Sequence, residues 1–309
     1  METRSFTLQD LPFGLSGNWY RGNLHTHSTR SDGRTSPAEV CAHYRAHGYD
    51  FISLTDHFRE RYQFPITDTT PYRTDDFTTI LGAELHAPAT SLGDEWHILA
   101  VGLPPDFAPT GADETGPQLA ERAVAAGAYV AAAHPAWYDL TDQDILSVPS
   151  AQAIEIFNTA CTVGNGKGDS TGYIDRLLSQ ERYYQIIATD DAHFNSVRPD
   201  SCRNWVMVRS STPEPADLLA ALHAGHFYSS QGPEFLEVTS KPGSDMLAVR
   251  TSPVRDIYLT GRGAASSSIV QDADFTSAEL DLKAIKGPYA RLTAIDHQGR
   301  RAWTNPFRV

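Results

Sequence analysis

Cysteine is scarce in this sequence, and the three residues present, Cys41, Cys161 and Cys202, lie far apart along the chain. Their odd number and wide spacing exclude a disulfide framework. None belongs to a Cys-x-x-Cys pair, so no zinc site built from cysteines alone is predicted.

Long apolar runs are also missing. No stretch approaches the roughly 20 residues needed to span a bilayer, and residues 1–6 lack the apolar segment of a secretory signal. We therefore expect a cytoplasmic protein without a membrane partner. Nothing in the sequence predicts an oligomeric state.

Positive charge is in short supply, since the formal net charge is -13. Without a basic stripe to neutralise many phosphates, we expect no general nucleic-acid binding. A small phosphorylated substrate remains compatible with this charge, because bound metal cations reverse the field around them.

Two patterns divide the 309 residues, which are enough to bury a sizeable core. Residues 1–232 alternate short apolar strands with helical segments, which predicts an α/β domain of parallel βα units. Four later segments alternate apolar and polar residues, at 235–239, 246–250, 256–260 and 289–296. This period predicts a small antiparallel β-sandwich domain over residues 233–309.

The best-marked helix begins after Ser36, which with Glu39 forms a predicted capping box, and ends at Gly48. His43 and His47 lie four residues apart on this helix, a spacing that can bind zinc. The sequence suggests no third ligand for this pair, and we interpret it as part of a solvated face.

Seven apolar runs have an ionisable residue at or beside one end, and most of these residues are metal-ligand types. Because the carboxyl ends of parallel strands meet at one edge of a sheet or barrel, we expect these side chains to form one polynuclear metal site. The residues are His25, His27, Asp32, Asp56, His57, Glu84, His97, His134, Glu155, Asn158, Asp190, Asp191 and His193.

Side-chain direction supports this convergence. Residues i and i+2 of a strand point to the same side, so His25 faces with His27 and Asp191 with His193. His97 begins its run, and an antiparallel hairpin of residues 80–85 with 96–101 would bring it beside Glu84. Each motif alone also fits ordinary strand histidines or turns, and only their joint occurrence predicts a site.

Nine of these residues resemble the metal-ligand set of the polymerase and histidinol phosphatase (PHP) family, in the family's order and with compatible spacing over about residues 19–230. They are His25, His27, Asp32, His57, Glu84, His97, His134, Asp191 and His193. The resemblance implies a distorted (β/α)7 barrel with two or three Zn, Mn or Fe ions at its C-terminal mouth.

The resemblance also implies how the ligands divide among the ions. One ion takes His25, His27, Glu84 and Asp191, a second takes Glu84 with His97 and His134, and a third takes Asp32, His57 and His193. His25, His27, Glu84, Asp191 and His193 are the implied catalytic residues. Residues 227–234 and 301–306 resemble the CehA/McbA branch, which includes carbaryl hydrolases.

Other polar residues near these motifs have supporting roles in this interpretation. Asp56, Glu155, Asn158 and Asp190 are expected to orient ligands rather than bind ions. His86 can face the site or be an ordinary buried histidine. Residues 159–172, rich in Gly, Asn, Thr and Ser, predict a loop near the mouth of the site.

Candidate groups for binding substrate are few. They are Lys167 in the polar loop, Arg198 and Arg203 after His193, and Arg30 and Arg34 around Asp32. The alternative for each is a solvated surface charge.

The mixed imidazole and carboxylate set predicts a hydrolase in which a metal-bridging hydroxide attacks the substrate. Our first hypothesis is a phosphoesterase for a small phosphorylated molecule, such as a nucleotide or phosphometabolite. The alternative is a carbamate or carboxylic ester hydrolase with the same metals. The shortage of arginines that could bind a phosphate favours this alternative. A third hypothesis is a non-catalytic binding module.

Overall fold

The computed structural model describes residues 7–195, 197–240 and 243–308. These ranges contain fifteen strands and six α-helices. The strands are β1 Asn18–Asn23, β2 Phe51–Leu54, β3 His57–Phe58, β4 Thr78–Ala87, β5 Trp96–Val101, β6 Tyr129–Ala132, β7 Ala153–Asn158, β8 Gln185–Thr189, β9 Trp205–Ser210, β10 Phe227–Ser230, β11 Phe235–Ser240, β12 Met246–Thr260, β13 Ser266–Asp281, β14 Arg291–Ile295 and β15 Arg301–Thr304. The helices are α1 Pro37–Ala46, α2 Gly116–Ala125, α3 Asp142–Leu146, α4 Thr159–Asn165, α5 Thr171–Ser179 and α6 Pro215–Ala224.

Seven strands follow one another in the order β1-β2-β4-β5-β6-β7-β8. Pairing is parallel except along β5, which lies antiparallel to both β4 and β6. The predicted hairpin of residues 80–85 with 96–101 is thereby confirmed, and its register places His97 opposite His86.

The two ends of this strand path meet just beyond β1 and β8. The His27 amide donates to the Ala192 carbonyl at 2.9 Å, and the Asp191 amide donates to the His25 carbonyl at 2.8 Å. In the described residues this link is an isolated bridge between Thr26 and Ala192 and not a full ladder. The fold is therefore mixed α/β, and the closed (β/α)7 barrel stays a prediction.

One apolar cluster fixes the strand ends from inside. Phe51, Ile80, Leu99 and Ile187 come from four strands of the path and are at most 3% exposed. Leu24, the neighbour of His25, belongs to the same cluster and is fully buried. Because Leu24 is buried, it fixes the position at which the chain leaves β1 and enters the edge of the sheet where His25 lies.

The C-terminal strands are antiparallel, as predicted, and they continue the same sheet in the order β11-β12-β14-β15-β10-β9-β1. β15 pairs with β10, which precedes residue 233. The β-sandwich and the division into residues 1–232 and 233–309 stay predictions.

The structure corrects two expectations for strands. β12 is continuous through residues 251–255, where the sequence predicted a break, and its pairing with β13 shifts register between Arg250 and Val254. Pro253 is tolerated at such an irregularity. β13 was not predicted, because most of its residues are exposed and its sequence lacks apolar alternation.

The expected loop at residues 159–172 is also wrong in its first half, which forms α4. The Asn158 side chain accepts from the Cys161 amide at 2.9 Å and caps this helix. Buried packing of Thr159 and Cys161 stabilises a helix that the local composition disfavours.

Candidate metal centre

Glu84 lies at the centre of a group of histidines. It is fully buried near the end of β4, and its carboxylate oxygens lie within 4 Å of a ring nitrogen of six histidines. The distances are 3.6 Å to His25, 3.7 Å to His27, 2.5 Å to His57, 3.6 Å to His86, 2.7 Å to His97 and 3.2 Å to His134.

Asp191 faces the two histidines that follow β1. Its Oδ1 atom lies 2.9 Å from His27 Nε2 and 3.2 Å from His25 Nε2. The backbone hydrogen bonds between the ends of β1 and β8 hold these residues side by side. The pair His25 and His27 therefore lies beside the pair Asp191 and His193, as the sequence led us to expect.

Asp32, His57 and His193 form a more open group. Asp32 lies 3.3 Å from His57 Nε2 and 3.4 Å from His193 Nε2, and 39% of its side chain is exposed. The adjacent Gly33 packs closely, because a Cβ atom there would lie 2.7 Å from the His27 carbonyl. With His27 nearby, these residues form one four-membered group able to hold an ion.

Backbone strain accompanies two of the candidate ligands. His134 has a φ of 25° and Asp191 a φ of 54°, in a region that non-glycine residues seldom adopt. Strain of this kind persists only where surrounding contacts enforce it, and it is concentrated at functional sites. For His134, the enforcing contact is a 2.7 Å hydrogen bond from its amide to Glu155.

Glu155 and Asn158 hold the candidate ligands from behind. Glu155 Oε1 lies 2.7 Å from His25 Nδ1, and the amide group of Asn158 donates to Glu155 and to Asp191, each at 3.1 Å. A carboxylate on one ring nitrogen fixes the histidine tautomer and directs the other nitrogen to the ion.

Asp56 and Asp190 contact backbone and hydroxyl groups instead. Asp56 accepts from Ser28, Ser31 and Thr67. Asp190 accepts from the Tyr44 hydroxyl and from three successive amides, those of residues 202–204. Both carboxylates therefore fix the loops that carry the candidate ligands.

Burial and neighbouring charges shift the pKa values of three histidines in this group. Burial acts to lower the pKa of His57, but the Glu84 and Asp32 carboxylates outweigh it and raise the pKa to about 10. For His193, burial is outweighed by Asp32 and Asp191, and the pKa rises to about 9. Burial, with the charges of His193 and His57, lowers the pKa of His27 to about 4.

The donor set fits divalent metal ions. His25 Nε2 is buried and makes no hydrogen bond within the described residues, although Asp191 Oδ1 lies 3.2 Å away. This nitrogen therefore faces a space bounded by carboxylate oxygens and other ring nitrogens. Imidazole and carboxylate ligands together suit Zn, Mn or Fe better than Mg or Ca.

A cavity of about 470 Å³ opens over this group. Asp32, His57, Glu84, His97, His134, Asp191 and His193 line it. Of the candidate substrate-binding residues, Arg198 and Arg34 line it as well, whereas Lys167, Arg30 and Arg203 do not. Lys167 is paired with Asp139 at 2.7 Å, and Arg203 lines a second cavity.

Several cavity residues were not identified from the sequence. Arg59 and Arg61 follow β3, two and four residues after His57, and this even spacing was an available signal. Trp137 lies 5.6 Å from His97 between ring centroids, but nothing in the sequence distinguishes this residue from a core aromatic. His86, for which the sequence left two alternatives, does not line this cavity but faces the group, with Nε2 at 2.9 Å from His57 Nδ1.

Comparison with known proteins gave structural matches only. No family model matches the sequence, and no curated protein does. A two-domain protein from Bacteroides vulgatus, described as containing a predicted PHP-like metal-dependent phosphoesterase, matches with a TM-score of 0.52 and 15% identity, over 100% of this chain and 98% of that one. This chain shares the fold of that protein.

Two further structures match over 58% of this chain, each with a TM-score of 0.45. One is a candidate metal-dependent phosphoesterase from Bifidobacterium adolescentis, with 13% identity over 90% of its own length. The other is an amidohydrolase from Chromobacterium violaceum with bound sulfate and no metal, with 15% identity over 89% of its length. The CehA/McbA branch stays a prediction. Among the described residues, none of the helices has the length and apolar character needed to cross a membrane.

Proposed function

We propose that this protein is a metal-dependent hydrolase that cleaves a phosphoester in a small molecule, such as a nucleotide or a phosphometabolite. The observation that carries the proposal is the composition of the 470 Å³ cavity, which ligand-type side chains and four arginines line together. Those arginines are Arg34, Arg59, Arg61 and Arg198.

The proposed ion ligands are His25, His27, Asp32, His57, Glu84, His97, His134, Asp191 and His193. Two or three ions of Zn, Mn or Fe held there would lower the pKa of a coordinated water toward ~7 and so supply hydroxide near neutral pH. Of these nine residues, the five proposed to be catalytic are His25, His27, Glu84, Asp191 and His193.

The remaining polar residues have proposed roles in orientation and in binding. Glu155 would hold the His25 ring, and Asn158 would hold the Asp191 carboxylate. Arg34 and Arg198 are exposed, and neither forms a salt bridge with a described residue. Their guanidinium groups are therefore free to bind the oxygens of a phosphate. Arg59 is less available, because it pairs with Glu95 at 2.6 Å.

A carbamate or carboxylic ester is the second candidate substrate. Trp137 is 40% exposed and lines the cavity with Val163 and Ala160, so an apolar or aryl group has a surface to contact. The same residues could hold the nucleoside base or other organic part of a phosphoester. The arginines favour the phosphoester, because a neutral ester gives them no anionic partner.

The test is hydrolysis by protein loaded with Mn, Zn or Fe. The panel comprises nitrophenyl phosphate, bis-nitrophenyl phosphate, nucleotides, nitrophenyl acetate and an aryl carbamate. We expect phosphoesters to be cleaved orders of magnitude faster than esters, and His25→Ala to abolish cleavage. His297→Ala is the matched control, because His297 is exposed and remote in sequence from the site. Faster cleavage of acetate or carbamate would select the second candidate, and no hydrolysis with any metal would refute both.

A further inference from the structure

A second group of ligand-type side chains lies outside the proposed centre. Three residues each present a ligand atom, and these atoms lie within 4.8 Å of one another. They are His43 on α1, His47 at the C-terminal cap of α1, and Cys202 in the segment before β9. The cysteine is 155 positions or more from both histidines in the sequence, so only folding brings them together.

The helix fixes the two histidines. His43 lies in the last turn of α1, and His47, four residues on, caps the C-terminal end of this helix. Their ring centroids lie 4.3 Å apart. Ser36 and Glu39 form a capping box at the other, N-terminal end of this helix. His47 Nδ1 lies 2.8 Å from the His43 carbonyl, which can only accept, so this nitrogen carries the proton. The His47 Nε2 lone pair is then free for a cation.

The loop fixes the cysteine. Cys202 has a φ of 58°, and the Asp190 carboxylate accepts from its amide at 2.7 Å and from the two following amides. The preceding Ser201 hydroxyl lies 3.1 Å from His43 Nε2, which keeps the loop against α1. Cys202 is partly exposed and lines a cavity of about 690 Å³.

We propose that His43, His47 and Cys202 bind one Zn²⁺ ion, separate from the ions of the proposed catalytic centre. Two imidazoles and a thiolate are ligands that zinc prefers, with water in the fourth tetrahedral position. On binding, the thiol S–H bond breaks, a zinc–sulfur bond forms and the proton passes to solvent. Burial raises the pKa of the Cys202 thiol to about 12, so zinc must displace this proton.

Such an ion would tie α1 to the loop that carries Asp191 and His193. Asp191 lies at the start of this loop and Cys202 near its end, and the Asp190 carboxylate accepts a hydrogen bond from the Cys202 amide. The ion would therefore hold Cys202 and its neighbours against α1. This role does not depend on which bond the protein hydrolyses.

Cobalt titration tests the proposal, because a thiolate bound to Co²⁺ gives a charge-transfer absorption in the near ultraviolet that imidazole and carboxylate ligands do not give. We expect this band in the native protein. In Cys202→Ser, we expect the band to be absent and the protein to bind one equivalent of cobalt less. Cys161→Ser is the matched control, because Cys161 lines the cavity of the proposed catalytic centre, and it should keep the band.

His47→Ala gives a second, milder test, because His47 is exposed at the end of α1 and its removal leaves the core intact. We expect this variant to bind the additional cobalt at least tenfold more weakly. A native protein without the charge-transfer band at saturating Co²⁺, or a band that survives in Cys202→Ser, would overturn the proposal. Each result can be read whether or not the protein hydrolyses a phosphoester.

Discussion

Glu155 Oε1 lies 2.7 Å from Nδ1 of His25, and both side chains are fully buried. The same oxygen accepts from the Thr189 hydroxyl, while Oε2 accepts from the His134 amide and from Asn158. One carboxylate thus joins two candidate ligands and the end of β8. Replacement of Glu155 should therefore change the affinity for metal more than the affinity for substrate.

We expect Glu155→Gln to weaken metal binding about 10–100-fold, the range typical for loss of such an orienting partner. The glutamine side chain must place its N–H₂ group against groups that donate hydrogen bonds to Glu155 in the native protein. The His25 and His134 side chains therefore lose their fixed positions. Competition with a chelator of known affinity measures the change. Glu121→Gln on the exposed face of α2 is the control, and equal affinities in the two variants would contradict the role proposed for Glu155.

Arg198→Ala should raise KM for a phosphoester about tenfold and leave kcat within a factor of a few. The reason is that an exposed guanidinium at the cavity contributes one charge-assisted hydrogen bond, of about 1.5 kcal/mol, to the substrate phosphate. Steady-state kinetics with nitrophenyl phosphate measure both constants. Arg255→Ala, at a surface ion pair with Asp274, provides the baseline. An unchanged KM would mean that Arg198 does not contact the substrate.

The polar edge of the sheet could be predicted because its cause is periodic. Parallel strands end at the same edge, so His25, Glu84, His134 and Asp191 could be brought together from the strand pattern alone. The position of His97 required only the antiparallel pairing of β5 with β4. In both cases a two-residue period fixes the direction of the side chain.

Features that depend on tertiary contacts could not be predicted in this way. α4 forms through the Asn158 cap and burial of Cys161, although its local composition favours a loop. Arg61 reaches the cavity from a single 3-10 turn, Glu60–Tyr62, which is too short for any periodic pattern to predict. The pairing of Cys202 with α1 depends on the amides that Asp190 fixes, a contact invisible in the sequence.

Tyr44→Phe should destabilise the fold by about 1–2 kcal/mol without changing the number of bound ions. Its hydroxyl donates to Asp190 at 2.9 Å and accepts from Asn23 at 3.0 Å, and all three side chains are buried. Removing it leaves two buried polar groups short of a partner. Urea unfolding and elemental analysis check the two parts of this prediction. Tyr258→Phe on β12, which is less buried, should change stability by less than 0.5 kcal/mol, within the ordinary range for surface changes. Equal losses in both variants would contradict it.

The ion-free protein should lose stability as pH rises above neutrality. His57 and His193 have pKa values of about 10 and about 9 in the folded protein, raised from 6.5 by the surrounding carboxylates despite burial. A raised histidine pKa stabilises the folded state fully below the unfolded pKa, and this contribution is lost as pH rises through the folded pKa. Between pH 6.5 and about 10, we therefore expect the free energy of unfolding to fall.

Urea unfolding of chelator-treated protein at intervals across this range measures the effect. His57→Gln and His193→Gln should each flatten the curve, because each removes one of the two titrating groups. Metal-loaded protein should not share the decline, since ions bind the deprotonated rings and their affinity increases with pH. A free energy of unfolding that is constant or rises with pH in the ion-free protein would show that these histidines are not held protonated by Asp32, Glu84 and Asp191.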